Sequence, residues 1–105
     1  MIVDIRTYTT LPGKLNAWLA LYEAEGYPTQ VKHLGEPVGF FQSEVGVQNQ
    51  VVHVWKYASM AEREQKRGAM YKDPAWLAYL KKSAEAGYMQ HQENKVMKST
   101  SFSPL

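Results

Sequence analysis

Two strand-like segments of the chain carry large polar and aromatic side chains in alternation, and these residues are the best suited to chemistry. Arg6 and Tyr8 alternate in the first segment, and His53 and Trp55 alternate in a later one. A guanidinium is permanently charged, a phenol donates and accepts hydrogen bonds, and an imidazole exchanges protons near neutral pH. We therefore predict a catalytic group in which Arg6 holds an anion or enolate and His53 is the acid or base, with Tyr8 beside them.

Three further side chains are candidate ligand contacts. Trp55 would supply an indole wall, and His33 is a polar candidate from a separate segment. Tyr22 lies on a predicted helix at a spacing typical of core residues, and it is included as a candidate contact. A cleft lined in this way would take a small aromatic, anionic or carbonyl-bearing compound.

The same residues also fit a purely structural role. Arg6 could pair with Asp4 or with a helix carboxylate, and His53 could be hydrogen-bonded in a packed core that Trp55 fills. Buried polar groups in proteins are mostly satisfied by such partners. The sequence leaves the ligand site and the structural role open as alternatives.

The three histidines predict neither a metal site nor a cofactor. His33, His53 and His91 lie on three different predicted elements, and no two of them have a local ligand spacing such as i, i+4. The chain contains no cysteine, so Cys-based zinc sites and disulfides are excluded. We expect a protein that works without a bound metal or organic cofactor.

Composition and motifs exclude several classes of protein. The 12 basic and 10 acidic residues are mixed along the chain, which predicts no nucleic-acid partner, and no apolar run is long enough to cross a membrane. Phosphate loops, nucleophile elbows and dinucleotide fingerprints are absent. With no cysteine and no signal-peptide pattern at the start, the expected location is cytoplasmic.

The first half of the chain predicts a strand followed by a helix. Residues 2–10 alternate and are rich in β-branched side chains, which indicates a strand. From Lys14 the apolar residues recur at helical spacing, and Gly26 is predicted to end that helix. Pro28 then starts a short second helical piece or lies in a single kinked helix, and Gly35 stops it.

The second half predicts three strands and further helix. A strand over residues 36–45 is joined by a hairpin to a central strand over residues 49–57, and either Phe40 or Phe41 shares a face with His53. Ser59 and Asp73 are helix start signals, the latter before Pro74. The polar, loosely alternating residues 88–102 indicate a last strand near an edge of the sheet.

This order of elements predicts an α+β fold. A βαββαβ chain with one antiparallel sheet is the ferredoxin-like arrangement, with helices packed on one face of the sheet. Residues 1–105 are of the size of a single domain. Because both faces of the predicted central strand are rich in apolar groups, the uncovered face is expected to meet a second copy of the chain in a homodimer.

Four separated segments resemble the NIPSNAP family. They are residues 2–13, 32–35, 46–55 and 73–76, in the family's order, and the likeness extends over nearly the whole chain. The resemblance implies the dimeric α+β barrel, a fold shared with small cofactor-free monooxygenases, lactone isomerases and haem-degrading proteins. The family has no settled activity, and its animal members are linked to mitochondria and vesicles. Lacking the N-terminal extension of those members, this chain resembles a compact bacterial-type member.

Two functions follow as hypotheses. The first is a homodimeric small-molecule-binding protein that acts as a cofactor-free enzyme, by proton transfer or O2-dependent oxidation of an aromatic or polyketide-like compound. It requires a cavity beside Arg6 and His53. The second is a non-catalytic interaction module whose sheet face serves assembly.

Overall fold

Four antiparallel strands form one sheet in the structure, a computed structural model that describes residues 1–105. The strand order is β2-β3-β1-β4, so the first and third strands are neighbours in the middle of the sheet. This order confirms the predicted ferredoxin-like α+β fold. The strands are β1 (Ile2–Thr10), β2 (Gly39–Gln42), β3 (Gln50–Tyr57) and β4 (Met89–Lys98).

The helical layer begins with one continuous run, which passes the point at Gly26 where the sequence predicts an end. Helix α1 (Leu15–Leu21) passes through a π-helical turn (Tyr22–Gly26) into α2 (Tyr27–Leu34). The prediction that Gly26 ends the helix is wrong, because the helical run continues through Gly26, as the single-helix alternative expects. Gly26 has a helical backbone, and its missing Cβ lets the rings of Tyr22 and Tyr79 approach closely.

Helices α3 (Met60–Met70) and α4 (Pro74–Ala86) begin where their capping residues predict. Ser59 Oγ accepts a hydrogen bond from the backbone N–H of Glu62 at 3.2 Å, and Asp73 Oδ1 accepts one from Ala75 at 2.9 Å. Each cap satisfies one of the amide groups that a helix start leaves without a partner. None of the helices combines the length and the hydropathy that crossing a bilayer requires.

Strands β2 and β4 are shorter than predicted. β2 has only four residues paired with β3, and the hairpin loop that follows contains positive-φ positions at Gly46 and Asn49. β4 ends at Lys98, opposite Ile2, where its partner β1 begins. Its place at the sheet edge agrees with the polar character of its sequence.

One face of the sheet packs against the helices and holds the core. In the register of β1 with β3, Arg6 lies opposite His53, and in β2 Phe40 lies opposite His53 from the other side. The structure therefore decides that Phe40, and not Phe41, shares the face of His53. The fully buried residues of this face include Val51, Trp55 and Asp4.

The other face of the sheet carries no helical layer. The molecule measures 41 × 36 × 18 Å, and its shortest dimension corresponds to one sheet and one layer of helices. Valines and isoleucines of β1 and β3 line this face, and exposed apolar side chains flank them. The apolar residues of this bare sheet face are Val3, Ile5, Phe41, Val52, Val54 and Met97.

Candidate functional site

A cavity of about 390 Å³ lies between the sheet and the helices. Four residues that the sequence predicts for the site line it together: Arg6, Tyr8, Tyr22 and His53. Its wall contains no aspartate or glutamate. The other lining residues are Trp18, Gln30, Arg67, Tyr71, Trp76, Tyr79, Leu80, Ser83, Ala84, Gly87, Met89 and Gln92.

Arg6 is held in place by two neighbours on its own strand. Its Nε donates to Tyr8 Oη at 2.9 Å, and its Nη1 pairs with Asp4 Oδ2 at 3.2 Å. The fully buried Asp4 also accepts from Arg63 Nε at 3.0 Å and from Asn94 Nδ2 at 3.0 Å. Burial opposes ionisation of Asp4, but these donors and charges outweigh it and lower the pKa of the carboxyl.

His53 is surrounded by aromatic rings. Its ring centroid lies 4.0 Å from that of Phe40, 4.9 Å from Tyr22 and 5.3 Å from Tyr8. The side-chain hydrogen bonds of the site do not include the imidazole. Burial, with a smaller contribution from the charge of Arg6, lowers the pKa of His53 to about 4, so the imidazole is neutral at pH 7.

The phenols on the helical side of the cavity are neutral hydrogen-bonding groups. Burial raises the pKa of Tyr22 well above its usual value, and burial raises that of Tyr79 to about 12. The hydroxyl of Tyr22 donates to the side-chain oxygen of Gln30. The indole of Trp18 stacks on the ring of Tyr22 with the two planes 4° apart. These side chains give the cavity a flat aromatic wall.

Two of the predicted site residues lie elsewhere. Trp55 is buried in the core, edge to face with Phe40 at 5.4 Å between centroids, and does not line the cavity. His33 Nε2 lies 2.8 Å from Asp73 Oδ2, which connects the end of α2 to the start of α4. This hydrogen bond is the largest cause that lowers the pKa of Asp73. The structure therefore shows His33 in an interhelical contact.

A second cavity, of about 460 Å³, lies on the other side of Tyr22 and His53. These two side chains line both cavities, so they form the wall between them. The second cavity is mainly apolar, with Phe40 and Tyr27 among its lining residues and Glu23 as its one charged residue.

Arg67 and Trp76 line the first cavity but are absent from the candidates that the sequence provides. In the sequence, the charged run around Arg67 indicates a solvated helix face, and Trp76 lies at a spacing typical of core packing. The spacing of Arg63, Arg67 and Met70 at i, i+4 and i+7 contains the signal, since it puts both arginines on the helix face that also carries the buried Met70.

The three histidines stay apart in the fold. His33 contacts Asp73, His53 lies between the cavities, and His91 is exposed on β4. No group of three histidine, aspartate or glutamate side chains is gathered closely enough to hold a metal ion.

The sequence and the fold both have known relatives. The sequence model of the NIPSNAP family matches residues 3–104. This chain belongs to the NIPSNAP family. The NipSnap homolog of Dictyostelium discoideum is 39% identical over 80 residues, which is 76% of this chain and 35% of that protein. The chain thus spans about a third of that relative's length.

Solved structures agree with this assignment. A NIPSNAP family protein with unknown function from Agrobacterium tumefaciens is 42% identical, with a TM-score of 0.90 over 100% of this chain and 93% of that one. A Nitrosomonas europaea protein named as a candidate antibiotic biosynthesis monooxygenase has a TM-score of 0.66 at 13% identity, over 94% and 98% of the two chains. This second likeness extends to the fold alone. The resemblance to the NIPSNAP family is confirmed.

Proposed function

We propose that this NIPSNAP protein binds a small aromatic or anionic compound in the cavity beside Arg6 and His53 and catalyses its conversion without a bound cofactor. The observation that carries the proposal is the cavity of about 390 Å³, which has aromatic walls, two arginines and a neutral imidazole and no carboxylate. A volume of a few hundred Å³ suits a compound of one or two rings.

The chemistry assigned to the site is proton transfer. A neutral imidazole accepts a proton from a ligand C–H or O–H group, and the Arg6 guanidinium lies beside it to stabilise the resulting enolate or phenolate. An anion formed next to His53 would raise the pKa of the imidazole from about 4 and so favour its protonated form. The enolate or phenolate produced in this way would isomerise when the His53 imidazolium returns the proton to another carbon, or would be oxidised by O2 from solution.

The proposal includes a homodimer in which two bare sheet faces meet. Their exposed apolar side chains on β2 and β4, together with the valines of β3, form a continuous patch of the kind that is normally covered by a partner. A two-fold pairing is the commonest way to cover such a patch. The alternative function, a non-catalytic assembly module, also rests on this face and would leave the cavity without a ligand.

Binding and turnover of small aromatic compounds test the proposal. We expect hydroxylated aromatic compounds to bind the wild-type protein in saturation-transfer NMR, and a subset to be consumed with or without uptake of O2. The His53→Gln variant should lose turnover by about 10²- to 10⁴-fold, because the general base is removed.

His91→Gln provides the matched control, because the exposed His91 lies outside both cavities. It should bind and turn over the compounds as the wild type does. Equal activity of the two variants would rule out His53 as the base. A wild-type protein that binds none of the compounds, yet sediments as a dimer, would favour the assembly module.

A further inference from the structure

We infer that the anionic group of the ligand is a carboxylate and that it is bound by Arg67 and the indole N–H of Trp76, at the α3–α4 side of the cavity. This inference rests on the proposed function and identifies both the class of ligand and the residues that would select it. It differs from the sequence-based expectation, in which Arg6 holds the anion.

Arg67 is the cation of the cavity that lacks an acidic partner. Its Nη1 atom is buried and makes no hydrogen bond, and no carboxylate lines the cavity around it. A buried cationic donor without an acceptor is costly, so the site gains free energy when an anion supplies one. The guanidinium carbon lies 5.8 Å from the centroid of the Tyr71 ring, which holds the side chain against a flat surface.

Arg6 is more fully engaged by comparison. Its Nε and Nη1 atoms are used by Tyr8 and Asp4. The single charge of Asp4 is shared between Arg6 and Arg63, so this group keeps a net positive charge that assists anion binding at longer range. Arg67 has no acidic partner and is therefore the better placed of the two to bind a ligand carboxylate, whereas the remaining N–H donors of Arg6 are left for an anion formed beside His53.

The phenol of Tyr57 is a neighbour that could occupy Arg67. Burial raises the pKa of Tyr57, and both the charge of Arg67 and the approach of its N–H groups to the phenol partly oppose that rise, so the two groups lie close together. Neither Tyr57 Oη nor Arg67 Nη1 completes a hydrogen bond. A guanidinium has five N–H donors, so a contact with Tyr57 would still leave donors for a ligand.

Trp76 supplies a second donor on the same side of the cavity. Its side chain is 5% exposed, and its Nε1 atom is buried without an acceptor although the ring lines the cavity. The Trp76 ring lies edge to face with the ring of Tyr71, with 6.3 Å between the two centroids. The Arg67 guanidinium lies against this same Tyr71 ring. Arg67 and Trp76 are thus connected through Tyr71.

A carboxylate matches this pair of donors. It offers two oxygens and one negative charge, so one oxygen can take the guanidinium and the other the indole N–H. Tyr8, Trp18, Tyr22 and Tyr79 would then enclose an aromatic ring attached to the carboxylate. The predicted ligand class is an aromatic carboxylic acid.

Two probes of nearly the same shape, one anionic and one neutral, test the inference. 1-Naphthoate and its neutral analogue 1-naphthamide are titrated into the full chain by calorimetry. We expect Arg67→Met to weaken naphthoate binding about 10- to 100-fold and to leave naphthamide unchanged, since a hydrogen-bonded charge is lost. Trp76→Phe keeps an aromatic side chain but removes the N–H, and should weaken naphthoate binding about 3- to 10-fold relative to naphthamide binding.

Lys66→Met is the matched control. Lys66 precedes Arg67 on α3 and pairs with Glu62 at 3.2 Å, so its loss changes the net charge equally without touching the cavity. It should bind both probes like the wild type. Arg67→Lys, which keeps the charge but not the planar fork, is a second variant with an intermediate loss if Arg67→Met fails to fold.

The remaining outcomes separate this inference from the proposed function. Binding of naphthoate by Arg67→Met or Arg67→Lys at wild-type affinity, or equal weakening of both probes, would overturn the inference and leave the small-molecule site intact. Wild-type protein that prefers naphthamide would also overturn it. If the wild type binds neither probe nor any neutral aromatic compound, both proposals fail.

Discussion

At the centre of the candidate site, the imidazole of His53 is surrounded by rings rather than by polar partners. Phe40 lies opposite His53 on the neighbouring strand β2, and Tyr22 and Tyr8 approach from the helical layer and from β1. Such surroundings disfavour the charged imidazolium, because they remove water without supplying an acceptor. The same property that makes His53 a neutral base at pH 7 should also make the fold sensitive to acid.

The stability of the protein should depend on pH through His53. The pKa of His53 falls from 6.5 to about 4 on folding, so between these values the unfolded state binds more protons than the folded state. The free energy of unfolding should therefore decrease as the pH falls through this window, by up to about 3 kcal/mol. His53→Gln should remove this part of the slope in urea denaturation between pH 7 and pH 4.

The exposed His91 again supplies the comparison. His91→Gln should keep the wild-type slope, because His91 lies on the surface of β4. Slopes are compared rather than absolute stabilities, since replacing a buried ring also changes packing. A wild-type slope in His53→Gln would show that the imidazole titrates normally and is not desolvated.

Among the elements, the π-helical turn is the one that shapes both cavities. It begins at Tyr22, whose ring separates the cavities, and ends at Gly26, which packs against that ring. A π-helical turn inserts an extra residue into a helix and rotates the side chains that follow it. We interpret the turn as the device that rotates α2 relative to α1, so that α2 continues to cover the core while Tyr22 faces His53.

Two glycine replacements separate close packing from helix propensity. A Cβ on Gly26 would lie 2.9 Å from ring atoms of both Tyr22 and Tyr79, so Gly26→Ala should destabilise the protein by about 1–2 kcal/mol. Gly68→Ala should instead stabilise it by about 0.5–1 kcal/mol, because Gly68 lies on the exposed side of α3 with nothing within 4 Å. Urea denaturation at pH 7 measures both, and effects of the same sign would contradict the packing argument.

For the whole molecule, the imbalance between the two sheet faces is the main feature. One face is covered by all four helices, and the other exposes Phe41 and Met97 beside half-buried valines. The molecule is only 18 Å thick, which leaves no room for a second layer that would cover this face. The proposed homodimer follows from this imbalance, because burying such a patch against its own copy removes apolar surface from water.

A charge introduced into the bare sheet face tests the homodimer. Val52→Asp or Val54→Asp should convert the sedimenting species from twice the chain mass to a monomer of 12.0 kDa, because a carboxylate would be buried without a partner. Val45→Asp, in the hairpin loop at 92% exposure, makes the same chemical change away from the sheet and should leave the dimer intact. A wild-type protein that sediments at 12.0 kDa would exclude the dimer.

Features that depend on neighbouring residues could be predicted from the sequence. The limits of β1, the caps at Ser59 and Asp73 and the shared faces of Arg6, Tyr8 and His53 all follow from alternation or capping. These signals are local, because a strand alternates its side chains and a cap bonds within one turn whatever surrounds them. The order of such elements was enough to indicate the ferredoxin-like fold.

Other features were decided only by tertiary structure. Both faces of β3 are apolar, so only the packed helices show that His53 lies inside and Val54 on the bare face. The placement of His33 against Asp73, and of Arg67 in the cavity wall, depends on how separate helices meet. Alternation and helical periodicity determined which residues lie together, whereas contacts between residues distant in sequence determined which of those groups face a cavity.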